Sequence, residues 1–253
     1  MDLGLKDKIA IVTGAASGIG KQTCLDLVAE GAKVVIADVN IAGAKELEAE
    51  ITSKGGEALA VKCDVTSNED VANTVKACMD KFGRVDILVN NAGIIKDNMI
   101  HKMPEADYDL VMDINLKGYW RFSKEVVPIM KQQKSGNIVM ISSQAYKGSR
   151  GQSNYSPAKA GAVALTKTLA MELGYVGVRV NCVAPGLVQT SLTKDFVDNP
   201  KLREGIEKNL VLRRERALLG TPKDISNTIL YLVSDMSSYI TGMVIDVAAG
   251  RKM

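Results

Sequence analysis

Ile9-Ala10-Ile11-Val12-Thr13-Gly14-Ala15-Ala16-Ser17-Gly18-Ile19-Gly20 decides the fold. The four apolar residues that open it read as a buried strand. A glycine-rich turn follows at once, and the run from about Gly18 to Glu30 reads as a helix. Gly14 permits a tight turn, and Gly18 lets the backbone approach a pyrophosphate. Gly20 lets the helix pack closely on the strand. Such a turn aims unpaired N–H groups and the positive end of a helix at whatever lies beyond the strand. The spacing G-x-x-x-G-x-G differs from the commoner G-x-G-x-x-G, and as a bare string it says little. Set between a strand and a helix, it points to a bound nucleotide.

The same alternation continues outward. Lys33–Ala37 precedes a helix from about Ile41 to Lys54, and Ala58–Val61 precedes one from about Asn68 to Phe82. Val85–Val89, Asn137–Ile141, Val178–Val183 and Met243–Val247 complete seven strand candidates. Gly31 and Gly55-Gly56 fall where helix C-caps would lead into strands. Apolar strands joined by helices imply an α/β chain, doubly wound, with a seven-stranded parallel sheet covered by helices on both faces, a Rossmann fold. No repeat or linker interrupts 1–253, which reads as one dinucleotide-binding and catalytic domain. The charged stretch Leu187–Thr221 carries few strand signals. It follows a strand end, so it is expected to be a lid or substrate-binding segment.

Composition narrows the function. The chain has 253 residues, 46% hydrophobic and 24% charged, in the ordinary globular range. A net charge of +3, from 32 basic against 29 acidic residues, gives no case for nucleic acid or a membrane surface. The charged start has no apolar signal core, and no run approaches the length of a membrane span, so a cytoplasmic location is expected. Cys24, Cys63, Cys78 and Cys182 form no C-x-x-C pair and read as small core side chains. His101 has no second histidine to pair with and reads as a polar loop residue, so no metal site is expected.

Two further features carry chemistry. Asp38 ends the second strand, where a carboxylate can accept from both ribose hydroxyls of an adenosine and repel a 2′-phosphate. Ser17 stands in the glycine loop where a base is absent, and Asn40 rather than a base follows Asp38. Both favour NAD over NADP. Alternatively, Asp38 only caps the helix beginning at Ile41. In Tyr155-Ser156-Pro157-Ala158-Lys159, a phenol and an ammonium lie one helical turn apart. A nearby cation is expected to lower the tyrosine pKa and fit it to exchange a proton with an alcohol or ketone.

Taken together, Thr-Gly-x-x-x-Gly-x-Gly at 13–20, Asp64-Val65, Asn90-Asn91-Ala92-Gly93, Asn115, Ser142-Ser143, Tyr155-x-x-x-Lys159, Pro185-Gly186 and Thr190 resemble the short-chain dehydrogenase/reductase family over nearly the whole chain. The resemblance implies that Gly14, Ser17, Gly18, Ile19 and Gly20 line the cofactor phosphates. It implies that Asp64 and Val65 contact the adenine, and that Asn90, Ala92 and Gly93 line the turn after the fourth strand. Pro185, Gly186, Val188 and Thr190 would contact the nicotinamide and its phosphates. Tyr155 matches the catalytic acid/base, and Lys159 the group that lowers its pKa and holds the nicotinamide ribose. Asn115 matches the residue that holds a proton-relay water. Ser142 lies 13 residues before Tyr155, a spacing common in the family. Ser143 takes the place usually catalytic, and it is the expected catalytic serine. Only one of two successive strand residues can face the site.

Within the family, residues 90–99 and 151–155 look most like β-ketoacyl-acyl-carrier-protein reductases. The expected reaction is therefore hydride transfer between NAD(H) and a ketone or secondary alcohol, with a 3-oxoacyl thioester as substrate. Sugar, polyol or other secondary-alcohol dehydrogenation is the alternative, and a non-catalytic nucleotide-binding scaffold a distant one. Those reductases usually carry an Arg near the first glycines and another near 174–177, and both are absent here. Lys131 and Lys134 could dock an acyl carrier protein or simply end a solvated helix. Where the family more often has Asp-Gly-Gly, this chain has Asp246-Val247-Ala248-Ala249-Gly250. Substrate choice is expected from Leu187–Thr221, Ile94–Met99 and Gln144–Arg150. Arg213, Arg214 and Arg216 could hold an anionic group or form a solvated face. The resemblance also implies a homotetramer built on helices near 106–133 and 153–173 and on the C-terminal strand. Ala160–Leu165 could pack on its symmetry copy or on the sheet.

Overall fold

Seven strands, β1 (Ile9–Thr13), β2 (Lys33–Asp38), β3 (Ala58–Lys62), β4 (Ile87–Asn90), β5 (Gly136–Ile141), β6 (Val178–Pro185) and β7 (Val244–Val247), form one sheet in the order β3-β2-β1-β4-β5-β6-β7. Every neighbouring pair is parallel. The computed structural model describes residues 2–208, 210–212 and 219–250. β4 starts two residues later than its apolar run. The side chain of Asp86 instead reaches sideways to accept from the Ile9 N–H at 2.9 Å. Strand order reverses between β1 and β4, which leaves a crevice at the carboxyl ends of the central strands.

The strands are apolar on both sides because helices cover both faces. On one face Val12, Val34, Ile36, Val89 and Val139 pack with α1 (Gly18–Ala29), α2 (Ile41–Ser53) and α9 (Pro222–Val233). On the other, Ile11, Val35, Leu88, Ile138 and Val180 pack with α3 (Asn68–Phe82), α5 (Gly118–Gln133) and α6 (Tyr155–Leu173). Each large apolar side chain buried there contributes about 1.5–3 kcal/mol. The four cysteines are buried among them as free thiols. Ala162 faces the sheet within the core, while Ala164 is exposed. The Ala160–Leu165 stretch therefore supplies both an inner and an outer face.

Local signals set the helix ends. Ser67 accepts from the Asp70 N–H to start α3, and Gly83 ends it in the left-handed region. α9 opens on Thr221 and Asp224, whose side chains cap each other's backbone, with Pro222 in the first turn. Gly31 and Gly55 end α1 and α2 with φ of +82° each.

α4 (Glu105–Met112) runs into α5 through a π-helical turn over Asp113–Lys117, closed by the Gly118 N–H donating to the Asp113 carbonyl. Arg121, buried one turn beyond, ties three elements together. It donates to Asn68 and to the Val65 carbonyl and pairs with Asp113 at 2.9 Å.

The segment after β6 is less irregular than its sequence suggests, since it contains α7 (Lys194–Val197) and α8 (Pro200–Glu207). Its two ends are joined at the base: Gln189 donates to the Gly220 carbonyl and Gly220 to the Leu187 carbonyl. Val211 and Leu212 both donate to the carbonyl of Ala249, which adopts φ +53°. The Ala249 substitution thus sits at a backbone position that favours glycine. Arg213, Arg214 and Arg216 lie outside the described residues. No helix among the described residues is long and apolar enough to cross a membrane.

Candidate active site

Two adjoining chambers open at the carboxyl ends of β1, β4, β5 and β6. The first, of about 520 Å³, is lined by Gly14, Ser17, Gly18, Ile19, Asp38, Asp64, Val65, Ala92 and Gly93. The second, of about 240 Å³, is lined by Ser143, Tyr155, Lys159, Pro185, Gly186 and Val188. Ile19, Asn91, Gly93 and Thr190 border both, so the two form one continuous cleft.

The glycine loop is built for close approach. Gly14 and Gly18 have φ of +61° and +54°. A Cβ on Gly20 would stand 2.4 Å from the Gly14 carbonyl oxygen. The Ser17 side chain makes no cap hydrogen bond, and the first turn of α1 has no acidic residue. The positive helix end is therefore left for an anion in the cleft. Asp38 holds this loop: one carboxylate oxygen accepts from the Ala16 N–H and the other from the Asn40 N–H, both at 2.8 Å. The cap of α2 is Asn40, which accepts from Gly43 at 3.1 Å, so Asp38 does not serve as that cap.

The turn after β4 is pinned to the loop. The Thr13 hydroxyl oxygen accepts from the Asn91 and Ala92 N–H groups at 3.0 Å each. Asn91 donates its side-chain amide to the Thr13 and Gly14 carbonyls. The expectation for Asn90 needs correction. Its side chain is fully buried and turned toward α5, where it donates to Ser123 and the Tyr119 carbonyl. Successive side chains alternate at a strand end, so Asn91 takes the cleft position.

Tyr155 is the first residue of α6, and Asn154 caps its N–H at 2.7 Å. Lys159 lies one turn on, 3% exposed. Ser143 and Tyr155 line the same chamber, and the Ser143 hydroxyl oxygen accepts from the Ala145 N–H at 3.2 Å. Ser142 points elsewhere, donating to the Lys159 carbonyl at 2.8 Å. Asn115 uses both ends of its amide on one residue, accepting from the Ile94 N–H and donating to the Ile94 carbonyl at 2.9 Å each. It thereby fixes the turn beside Lys159.

Burial, not the neighbouring cation, sets the tyrosine. Desolvation pushes Tyr155 up to about 12, against a downward pull from Ser143. Burial dominates, so the tyrosine stands above its ordinary value and not below it as expected. Burial also lowers Lys159 to about 7, so the amine is only partly charged near neutrality. Its Nζ lies 5.5 Å from the Tyr155 ring centre.

Three loops shape the second chamber. Ile95 comes from the turn after β4, Gln144, Ala145, Gly148 and Ser149 from the loop after β5, and Leu187, Leu192 and Thr193 from the segment after β6. Gln152 also lines it and donates to both oxygens of Asp97 at 3.1 and 3.0 Å. Asn91 stands inside the Asn90-Asn91-Ala92-Gly93 motif, and Asp97 and Gln152 inside the stretches 90–99 and 151–155, but none of the three carried an expected role of its own.

The family model described as enoyl-(acyl carrier protein) reductase matches residues 14–252. The chain belongs to the short-chain dehydrogenase/reductase family, and it is an oxidoreductase that interconverts a ketone and a CH–OH group with a nicotinamide cofactor. Within that family it is similar to the (2S)-[(R)-hydroxy(phenyl)methyl]succinyl-CoA dehydrogenase subunit BbsD of Thauera aromatica, 41% identical with 99% of each chain covered. It is 42% identical to a 3-oxoacyl-[acyl-carrier-protein] reductase of Synechocystis sp., with 98% of each covered. Among solved structures it is similar to a 7α-hydroxysteroid dehydrogenase complexed with NADH and 7-oxo glycochenodeoxycholic acid. The TM-score there is 0.94 at 34% identity, covering 99% of this chain and 96% of the other.

Proposed function

We propose that this enzyme reduces 3-oxoacyl thioesters with NADH, and oxidises the corresponding 3-hydroxyacyl thioesters in reverse. The observation that carries the reading is the continuity of the cleft from Asp38 and the glycine loop to Tyr155, Ser143 and Lys159. The named relatives include a 3-oxoacyl-carrier-protein reductase and a CoA-thioester dehydrogenase, which supports the thioester. No basic side chain is among the described residues lining the first chamber, and Asp38 stands there instead. A 2′-phosphate would meet a carboxylate with no counter-charge, which favours NADH over NADPH.

The nicotinamide, when bound, supplies or accepts the hydride. The chain's own residues handle the proton and the substrate oxygen. In reduction Tyr155 gives its proton to the carbonyl oxygen, while the Ser143 hydroxyl donates to the same oxygen as charge develops there. In oxidation the tyrosine must act as phenolate. Burial holds its pKa high, so a charged Lys159 and an oxidised nicotinamide beside it would be needed to favour the phenolate. Asp64, Val65, Ala92 and Gly93 hold the adenosine half, and Pro185, Gly186, Val188 and Thr190 the nicotinamide half. Residues 187–221 act as the lid over the substrate, tethered at Gly220 and at Ala249.

The test is absorbance at 340 nm with acetoacetyl-CoA and either NADH or NADPH. We expect turnover with NADH, with kcat/KM at least about tenfold above that with NADPH, or ~1.4 kcal/mol. Preference for NADPH would overturn the role of Asp38. No turnover with either cofactor would discard the thioester and leave a sugar or other secondary alcohol to be sought.

We also propose a homotetramer. Tyr108, Leu110 and Trp120 are exposed large side chains on α4 and α5, the helices expected at an interface. Lys131 and Lys134 sit at the C-terminal end of α5, where positive charge suits the helix end, so they give no independent support for carrier-protein docking. Light scattering is expected to give about four times the chain mass of 27.1 kDa, and a monomer would refute the assembly.

A further inference from the structure

Lys159 is held by a tyrosine other than the one in the cleft. Its Nζ donates to the Tyr119 hydroxyl at 2.9 Å and to the Ile141 carbonyl at 2.8 Å. Tyr119 donates its only hydroxyl proton to that same carbonyl at 3.0 Å. The tyrosine oxygen can therefore only accept from the lysine. Tyr119 is 1% exposed and does not line the cleft. It comes from the first turn of α5, just after the π-helical turn, and reaches the end of β5 from behind.

We propose that Tyr119 is a positioning residue for the reaction, fixing Lys159 Nζ against the end of β5 so that its remaining hydrogen-bonding capacity faces Tyr155 and the cofactor. The inference rests on reading Tyr155 and Lys159 as the acid/base pair. A lysine has four rotatable side-chain bonds and would otherwise sample several positions in the pocket. Two acceptors on one side of the amine select one of them. The Tyr119 ring lies 5.0 Å from Nζ and adds a face that favours the charged amine.

Tyr119 does not relay protons. Its hydrogen-bond chain ends on the Ile141 carbonyl, which has no proton to pass on. Burial also holds the Tyr119 pKa well above the ordinary value, and a phenolate at Tyr155 raises it further. Of the two tyrosines around the lysine, Tyr155 is the one able to ionise during turnover.

Tyr119→Phe keeps the ring and removes only the oxygen. The Ile141 carbonyl is then the one protein acceptor left to Nζ. With one acceptor fewer, the ammonium of Lys159 is less favoured and supports the Tyr155 phenolate less well. The assay is oxidation of 3-hydroxybutyryl-CoA by NAD⁺, followed from pH 6 to 10 with thermal melts alongside. We expect the rising limb of kcat to move up by about one pH unit, with a roughly tenfold loss at pH 7 and recovery at high pH. KM for NAD⁺ should change less than kcat. An unmoved limb, or a loss equal at every pH, would overturn the proposal. Tyr119→Met, which also lacks the hydroxyl, gives the same reading should the phenylalanine variant not fold. Tyr155→Phe assayed in parallel separates the two levels. If it retains turnover, the acid/base reading fails. If it is inactive while Tyr119→Phe keeps the wild-type limb, only the positioning role fails.

Discussion

Tyr155→Phe is expected to lower kcat by at least about 10³-fold while leaving NADH affinity within roughly twofold of the wild type. The change removes the phenol oxygen of a residue that lines the second chamber. It leaves the ring, which is 8% exposed, and leaves the Asn154 cap on the backbone N–H. Folding should therefore be undisturbed. Ser143 alone cannot replace the phenol, because an alcohol is a far weaker acid than a phenol. Steady-state kinetics with acetoacetyl-CoA and NADH fluorescence titration measure the two quantities. Turnover within tenfold of the wild type would remove Tyr155 from the chemistry.

Gly20→Ala is expected to damage cofactor binding and stability together. The added Cβ would stand 2.4 Å from the Gly14 carbonyl oxygen, 2.7 Å from Asn91 Nδ2 and 2.9 Å from Ala15 Cα. Two of these atoms are backbone and cannot rotate away. The third belongs to the amide that fastens the turn after β4 to the glycine loop. The start of α1 must therefore shift, and the N–H groups it presents shift with it. We expect NADH affinity to fall about 100-fold, or ~2.7 kcal/mol, and the thermal midpoint to drop by several degrees. Wild-type affinity with a lowered midpoint would show that the helix start is not what holds the phosphates.

Much of this was legible because it is local. The glycine loop lies within eight residues, and Tyr155 and Lys159 within one helical turn, so motif and geometry coincide. The seven strands were visible as apolar runs because both faces of the sheet are covered. Asp38 was readable from its place at the end of β2. What was not legible depends on contacts between distant segments. Tyr119 reads as one more aromatic on a helix until α5 is laid against β5. Asn90 and Asn91 are neighbours in one motif, and only the phase of the strand separates them. The high pKa of Tyr155 comes from desolvation, which no spacing reveals. Thr221 and Asp224, with Pro222 between them, carry the start signal of α9 in the sequence itself.

The π-helical turn at Asp113–Lys117 has a consequence of a different kind. It is an extra residue wound into an otherwise continuous helix, and it sets the phase of everything after it. Losing one residue there would let the helix relax to regular α geometry and would rotate α5 by about 100° relative to α4. Asn115 lies within this turn and Tyr119 just beyond it, one meeting Ile94 and the other meeting Lys159. They could not both keep their partners. A substitution in the turn alters one contact, but a single-residue deletion would turn Tyr119 away from the lysine and Phe122 and Val126 out of the core in the same movement. Length, more than residue identity, is therefore what this short stretch must preserve.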